Sequence, residues 1–243
     1  MSKILVSPVA FNESVKLKNV IERFKKSPVH RQADYLIVDD ASTDGTTEMI
    51  QSFECHGVKT IKHKHRGGVG AAIRTAMDYA RQHQYEVLVI MAGNDKDNPD
   101  EIPFLIDPIV KGGYDLVQGS RYKGHCGIGG DMPLYRKFAT RLHPWLLSVL
   151  TGKKITDSTN GFRAIRLSML NDPRINLRQD WLDHYELEPY LLYKAITLGF
   201  KVLEVPVTKI YPLRKLGYTK MRPVLGCWSI LRPLVFLSLG LRK

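Results

Sequence analysis

The sequence predicts an α/β domain with a mostly parallel sheet. Three observations point there. Short Val-, Ile- and Leu-rich runs recur along the chain, helix-periodic stretches fill several of the gaps, and polar clusters follow some of the runs directly. The runs fall at residues 4–6, 35–38, 58–61, 87–91 and 116–117. The clearest helix covers 69–84, where Val69, Ile73, Ala76, Met77 and Ala80 share one face at helical spacing. A second covers 185–198, with Leu187, Tyr190, Leu191, Ala195 and Leu198 aligned and Gly199 as its stop.

No internal repeat, low-complexity tract or long linker divides the chain, so residues 1–223 read as one domain. Residues 224–243 differ. They are rich in Trp, Leu, Ile and Val, are interrupted by Arg232 and Pro233, and close on Arg242 and Lys243. A membrane crossing needs roughly 20 mainly apolar residues. The expectation is instead an amphipathic helix lying on a membrane surface or against another subunit, including a second copy of the chain.

With 44% hydrophobic and 25% charged residues in 243, disorder, collagen and a disulfide-stapled miniprotein are excluded. Cys55, Cys126 and Cys227 are scattered, odd in number and in no metal-ligand spacing, as expected in a reducing compartment. The first residues lack the long apolar centre of a secretory leader, which predicts a cytoplasmic protein, peripheral on the cytoplasmic membrane face if the last segment docks there. A net charge of +12 points to nucleic acid, anionic membrane or phosphorylated substrates. No RNA-binding motif with paired stacking aromatics is present, so nucleic acid is not expected.

The 35–38 run leads into VDDASTDGT, which places Asp39 and Asp40 at the carboxyl edge of the sheet, where open α/β sheets bind ligands. Their carboxylates suit ribose hydroxyls or a base N–H, and Ser42 or Asp44 suits a helix cap; the same residues also serve simply as turn and cap residues. The first run ends in PVAFNE, a second polar cluster on the same edge. HRGGVGAAIRTAMDYA then sets Gly67, Gly68 and Gly70 at a helix start, where N–H groups face an anion, although the spacing is neither a Walker A loop nor a dinucleotide fingerprint.

PVAFNE, VDDASTDGT, the glycine-rich helix start, an acidic loop after a buried strand, GSRY, DSTNGFRA and EVPV stand in the order found in glycosyltransferase family 2. The chain resembles that family from about Lys3 to Lys220, and within it the dolichyl- and polyprenyl-phosphate sugar synthases. The resemblance implies a glycosyltransferase-A fold, a nucleotide-diphosphate sugar donor and inversion at the anomeric carbon. It assigns Pro8, Phe11, Glu13, Asp39 and Asp40 to the nucleoside, with Gly68 and Gly70 allowing close approach. In GNDKDNPDEI the family's Asp-any-Asp triplet is replaced by Ala92, Gly93 and Asn94. Mg²⁺ or Mn²⁺ binding by Asn94 with Asp95 or Asp97 is the expectation there, and Lys96 set against the diphosphate is the alternative to a metal or its companion. These residues also suit a plain helix start, with Asp100 and Glu101 in its first turn.

The resemblance further places Arg121 of GSRY and Arg136 on the acceptor phosphate, Asp157 and Arg163 along the acceptor side, and Arg214 with Lys220 in a basic loop closing over the leaving diphosphate. That loop equally suits anionic lipid headgroups. An acceptor hydroxyl needs a base, for which Asp183 and Glu186 stand near the second helix; a phosphate acceptor is already anionic and needs none. For Asp183 the other reading is a charge at a helix N-terminus. The expected function is transfer of a sugar to a polyprenyl-type lipid phosphate. The alternatives are transfer to a hydroxyl of a glycan or small molecule, and a catalytically inactive sugar-nucleotide-binding protein.

Overall fold

The computed structural model describes residues 3–54, 57–124, 127–130, 132–211 and 223–242. Arg214, Lys220, Cys55 and Cys126 therefore lie outside the described residues. The first half alternates strand and helix: β1 (Ile4–Ala10), α1 (Ser14–Lys26), β2 (Ala33–Asp39), α2 (Thr46–Gln51), β3 (Val58–Lys62), α3 (Val69–Gln82) and β4 (Val87–Ala92). Next come α4 (Ile102–Val110), β5 (Leu116–Ser120), β6 (Ile128–Gly130) and α5 (Leu134–Thr151). The chain then forms β7 (Arg163–Arg166), α6 (Leu187–Thr197), β8 (Val202–Pro206), β9 (Lys209–Tyr211) and α7 (Pro223–Ser238).

Among the described residues the main sheet has the order β3-β2-β1-β4-β7-β5-β8, and β6 pairs with β9 separately. All neighbours in the main sheet are parallel except β7, which runs antiparallel between β4 and β5. The ends of β1, β2, β4, β5 and β8 consequently share one edge, and β7 begins there. Arg121 after β5, Arg163 at the start of β7, and β9 just after β8 are all delivered to that edge.

Two cores flank the sheet. Leu36 and Val38 pack with Ala72, Ile73, Ala76, Met77 and Ala80 of α3, while Tyr35 and Ile37 pack with α1 and α2 on the other face. The strand period of two thus assigns successive residues to opposite layers. Fully burying Ile73 or Met77 contributes roughly 1.5–3 kcal/mol each. The helix ends at Gln82, slightly short of its periodic pattern, because Gln84 turns to φ 57° and the Tyr85 N–H returns to the Ala80 carbonyl.

The C-terminal segment is a helix that runs through Pro233 rather than breaking at it. Leu234 is buried, the Arg232 guanidinium donates to the Trp181 carbonyl and pairs with Glu186 at 2.7 Å, and α7 packs on α5 and α6. These contacts offset the one backbone bond that proline removes. No helix among the described residues is long and apolar enough to cross a membrane.

His143 of α5 ties these layers together. It is buried, with Nδ1 2.6 Å from Ser158 Oγ and Nε2 3.0 Å from the Ile230 carbonyl of α7. Burial pushes its pKa down to about 4, against an ordinary value of about 6.5. Because the unfolded chain takes up the proton first, this stabilisation is complete above about pH 6.5. It falls as the pH drops towards 4, by up to about 3 kcal/mol. In urea unfolding, the stability gap between wild type and His143→Gln should narrow between pH 7.5 and pH 4.5. A gap that stays constant contradicts this reading of the ring.

Candidate active site

The loops at the shared edge enclose a cleft of about 490 Å³. Three of the loops contain a non-glycine residue in left-handed backbone: Asn12 after β1, Ala41 after β2 and Asp95 after β4, with φ of 53°, 62° and 56°. Such residues cost free energy and persist only where surrounding contacts over-determine them. Those contacts are present. The Asn12 N–H donates to Ser42 Oγ, the Thr43 N–H to Asn12 Oδ1, and the Glu13 N–H to Thr46 Oγ1.

Asp39 and Asp40 divide the work. Asp39, fully buried, accepts from the Ser42 N–H at 3.0 Å and from Thr47 Oγ1 at 2.6 Å, so its carboxylate builds its own loop and does not line the cleft. Asp40 lines the cleft and accepts from the Gly67 and Gly68 N–H groups at 2.7 and 2.8 Å, with His63 Nδ1 at 2.8 Å. The glycine N–H groups expected to meet an anion are thus engaged by Asp40. Gly68 and Gly70 serve close approach of another kind. A Cβ at Gly68 would lie 2.2 Å from His184 Nδ1, and one at Gly70 only 2.0 Å from the Leu182 carbonyl. The 182–184 loop closes onto the start of α3, and the Ala71 N–H donates to the Asp183 carbonyl.

Phe11 and Glu13 line the cleft, Phe11 under the Arg66 guanidinium at 4.0 Å and Glu13 beside Lys16 at 3.1 Å. Pro8 does not line it; it is buried in β1 opposite Met91 of β4.

The loop after β4 departs from the expected metal site. Asn94 lines the cleft, and its Oδ1 is buried with no hydrogen-bond partner. Asp95 turns away to Arg23 at 2.8 Å and Asn19 at 3.3 Å. Asp97, buried, accepts from the Ala92 N–H and from Lys209 Nζ at 2.7 Å. Both carboxylates are neutralised by cations, whereas Mg²⁺ and Mn²⁺ bind hard anionic oxygens. Among the described residues no three His, Cys, Asp or Glu side chains group as a metal site. The donor set of Asn94, Asp95 and Asp97 therefore does not fit a divalent ion. The end of the segment does start a helix as expected: Asn98 caps the turn at Pro99–Glu101, which holds Asp100 and Glu101 and leads into α4, and Glu101 also accepts from Thr208.

Lys96 does reach the cleft, although it is only 5% exposed. Burial, then the neighbouring Arg136, Lys209 and Lys16, push its pKa down to about 7. Its Nζ stands 5.1 Å from the centre of the Tyr211 ring, with the Arg136 guanidinium at 5.6 Å from the same ring. The Tyr211 hydroxyl accepts from Arg121 at 2.9 Å. One buried aromatic thus sets three cations. Neither Tyr211 nor Lys209 stands out in the sequence; a polar and aromatic pair alternating on a short strand after EVPV is the signal that was available.

Arg121 is gripped in two places by Asp157, Nε to Oδ2 at 2.6 Å and Nη2 to Oδ1 at 2.7 Å, and also donates to Thr159. Four of its five N–H groups meet described neighbours, which leaves one for a ligand. Asp157 is fully buried behind it. Burial alone would raise the Asp157 pKa, but the Arg121 charge and hydrogen bonds outweigh it and hold the group below its ordinary range. Arg163 lines the cleft but donates to the Glu188 and Asn160 carbonyls, anchoring α6 to the loop before β7.

Neither proposed base faces the cleft. Asp183 is ion-paired with Arg74 of α3 and forms no cap on α6. Glu186 is buried against α7, beside Arg232 and Ser229. Of the carboxylates that do line the cleft, Glu13 pairs with Lys16, Asp40 holds the glycine loop, and Glu188 is ion-paired with Arg163 at 3.4 Å, its buried Oε1 accepting no hydrogen bond.

A nucleotide-sized cleft at the carboxyl edge, with more cations than carboxylates in its lining, defines the class of protein: an enzyme that handles phosphorylated ligands on an α/β scaffold. The family profile described as "Glycosyl transferase family 2" matches residues 8–172, and the chain belongs to that family of glycosyltransferases. It is 32% identical over 225 residues to polyprenol monophosphomannose synthase of Mycolicibacterium smegmatis, covering 90% of this chain and 81% of that one. Undecaprenyl-phosphate mannosyltransferase of Micrococcus luteus is 29% identical over 90% of this chain and 87% of its own. Among solved structures, glucosyl-3-phosphoglycerate synthase of Mycobacterium tuberculosis, in complex with Mn²⁺, UDP and glucosyl-3-phosphoglycerate, superposes with a TM-score of 0.71 at 18% identity. That match covers all of this chain and 81% of the other, and shows the shared glycosyltransferase-A fold.

The fit of the 182–184 loop onto α3 is testable. Gly70→Ala forces its methyl into the Leu182 and His184 carbonyls and should lower unfolding stability by about 1–3 kcal/mol. Gly127→Ala, where a Cβ meets nothing within 4 Å, should leave the urea midpoint unchanged. Equal effects of the two substitutions would contradict the packing described.

Proposed function

We propose that the protein transfers a sugar from a nucleotide-diphosphate sugar to a polyprenyl-type lipid phosphate, with inversion at the anomeric carbon. The observation that carries this reading is the charge balance of the cleft. Lys and Arg side chains outnumber carboxylates in its wall, and those carboxylates stand beside cations or, for Asp40, hold loop amides. Such a site receives anions on both sides of the reacting bond: the donor diphosphate and the acceptor phosphate.

A phosphate monoester arrives as an anion, so no carboxylate has to remove a proton before attack. Its oxygen forms the new bond to the anomeric carbon as the bond to the nucleoside diphosphate breaks on the opposite face. Arg136 and the remaining N–H of Arg121 are the groups that hold the acceptor phosphate. Phe11, Glu13 and the loops held by Asp40 receive the nucleoside. The curated relatives named for polyprenol and undecaprenyl phosphate support this acceptor class. The orientation of Asp183 and Glu186 away from the cleft counts against a hydroxyl acceptor.

The flank of the cleft suits a lipid tail. Leu134 and Phe138, on either side of Arg136 in α5, are 80% and 69% exposed, and Trp228 of α7 is also exposed. A phosphate at Arg136 would leave its chain running along these side chains, an arrangement that supports a protein working at a membrane surface.

The test is product formation from radiolabelled sugar nucleotides and undecaprenyl phosphate in detergent, read as lipid-linked sugar. Asp183→Asn and Glu186→Gln should leave turnover largely intact. Arg136→Ala should reduce it about 10- to 100-fold, the worth of one charge-assisted phosphate contact. Loss of turnover in the carboxamide variants with activity retained in Arg136→Ala would move the acceptor to a hydroxyl. Donor binding without transfer to any acceptor would make the protein a sugar-nucleotide-binding protein.

A further inference from the structure

Resting on the donor assigned above, we propose that Lys96 carries the positive charge set against the donor diphosphate, and that donor binding needs no divalent cation. The loop after β4 supplies an ammonium group at the cleft where the resemblance led us to expect carboxylates. Asp97 is withdrawn from ligand duty by Lys209, which also donates to Asn160 Oδ1 at 2.8 Å. Asp95 is withdrawn by Arg23 and Asn19. From this loop the cleft is lined by the neutral Asn94 side chain and by Lys96, with no carboxylate among them.

The ammonium is held in place before any ligand arrives. The Ile210 N–H donates to the Lys96 carbonyl at 3.0 Å, and Asp97 bridges to Lys209 in antiparallel fashion, so the loop is fastened to β9. Tyr211 lies against the Lys96 side chain, which therefore loses little freedom on meeting a phosphate. With Arg136, Lys209 and Lys16 close enough to perturb Lys96, a further dication at this point would add to existing repulsion. A diphosphate relieves that repulsion.

The experiment is titration calorimetry of the full chain with UDP, GDP, CDP, ADP and dTDP, each in EDTA and in MnCl₂ or MgCl₂. The nucleotide that binds should do so with the same affinity in EDTA as with metal. Lys96→Met should weaken it about tenfold or more under both conditions. Its melting temperature should not fall, because a buried charge among like charges is being removed. Binding that requires Mn²⁺ or Mg²⁺, or a Lys96→Met variant that melts normally and binds normally, overturns the inference while the donor reading stands. Absence of binding by all five nucleotides under both conditions overturns both.

Discussion

The contact on which the site depends is the packing of Lys96, Arg121 and Arg136 around the buried Tyr211 side chain. Two of these cations stand over the ring and the third donates to its hydroxyl. A cation over an aromatic face gains about 0.5–2 kcal/mol, the upper figure when water is excluded. That gain is small beside the cost of burying positive charge, which is why the Lys96 pKa is depressed. An entering anion reverses the sign of that imbalance. The free site is charged against itself, and the ligand completes it.

Acidic residues take part from behind. Asp40, Asp97 and Asp157 are all buried, and each spends its carboxylate on a loop amide or a cation of the site. Removing one partner of such a buried pair typically costs about 3–5 kcal/mol, because the other charge is left unmatched. These carboxylates thus fix the positions of cations and loops at the cleft, and of the three only Asp40 lies on the cleft wall. The same economy explains the left-handed residues at three neighbouring strand ends: side-chain bonds between the loops hold backbone in conformations that the residues would not choose alone.

Much of this was legible in the sequence. The alternation of apolar runs and helical stretches fixes a parallel sheet, and a parallel sheet brings PVAFNE and VDDASTDGT to one edge whatever the details. The division between Asp39 and Asp40 follows from strand parity, since Asp40 shares the side of Leu36 and Val38, facing α3, and Asp39 the side of Tyr35 and Ile37. Other features were hidden for physical reasons. The loop from Asn94 to Asn98 has no periodicity to orient its side chains, so which acids face ligand depended on partners far away in sequence, Arg23 and Lys209. Tyr211 sits on a strand of three residues, too short to carry a pattern. The antiparallel β7 has four residues and interrupts the alternation, yet it is what brings Arg163 to the working edge. A C-terminal helix was legible despite Arg232 and Pro233, but its docking on α5 and α6, which carries α7 through Pro233, was not.

The most direct measurement is a crystal structure of the protein with its preferred nucleoside diphosphate, grown after chelator treatment and then supplied with Mn²⁺, with anomalous diffraction recorded at the manganese edge. The account predicts the terminal phosphate beside the Lys96 ammonium and no anomalous peak at Asn94. A manganese peak bridging Asn94 and the diphosphate, with the Lys96 side chain displaced from the cleft, would contradict it.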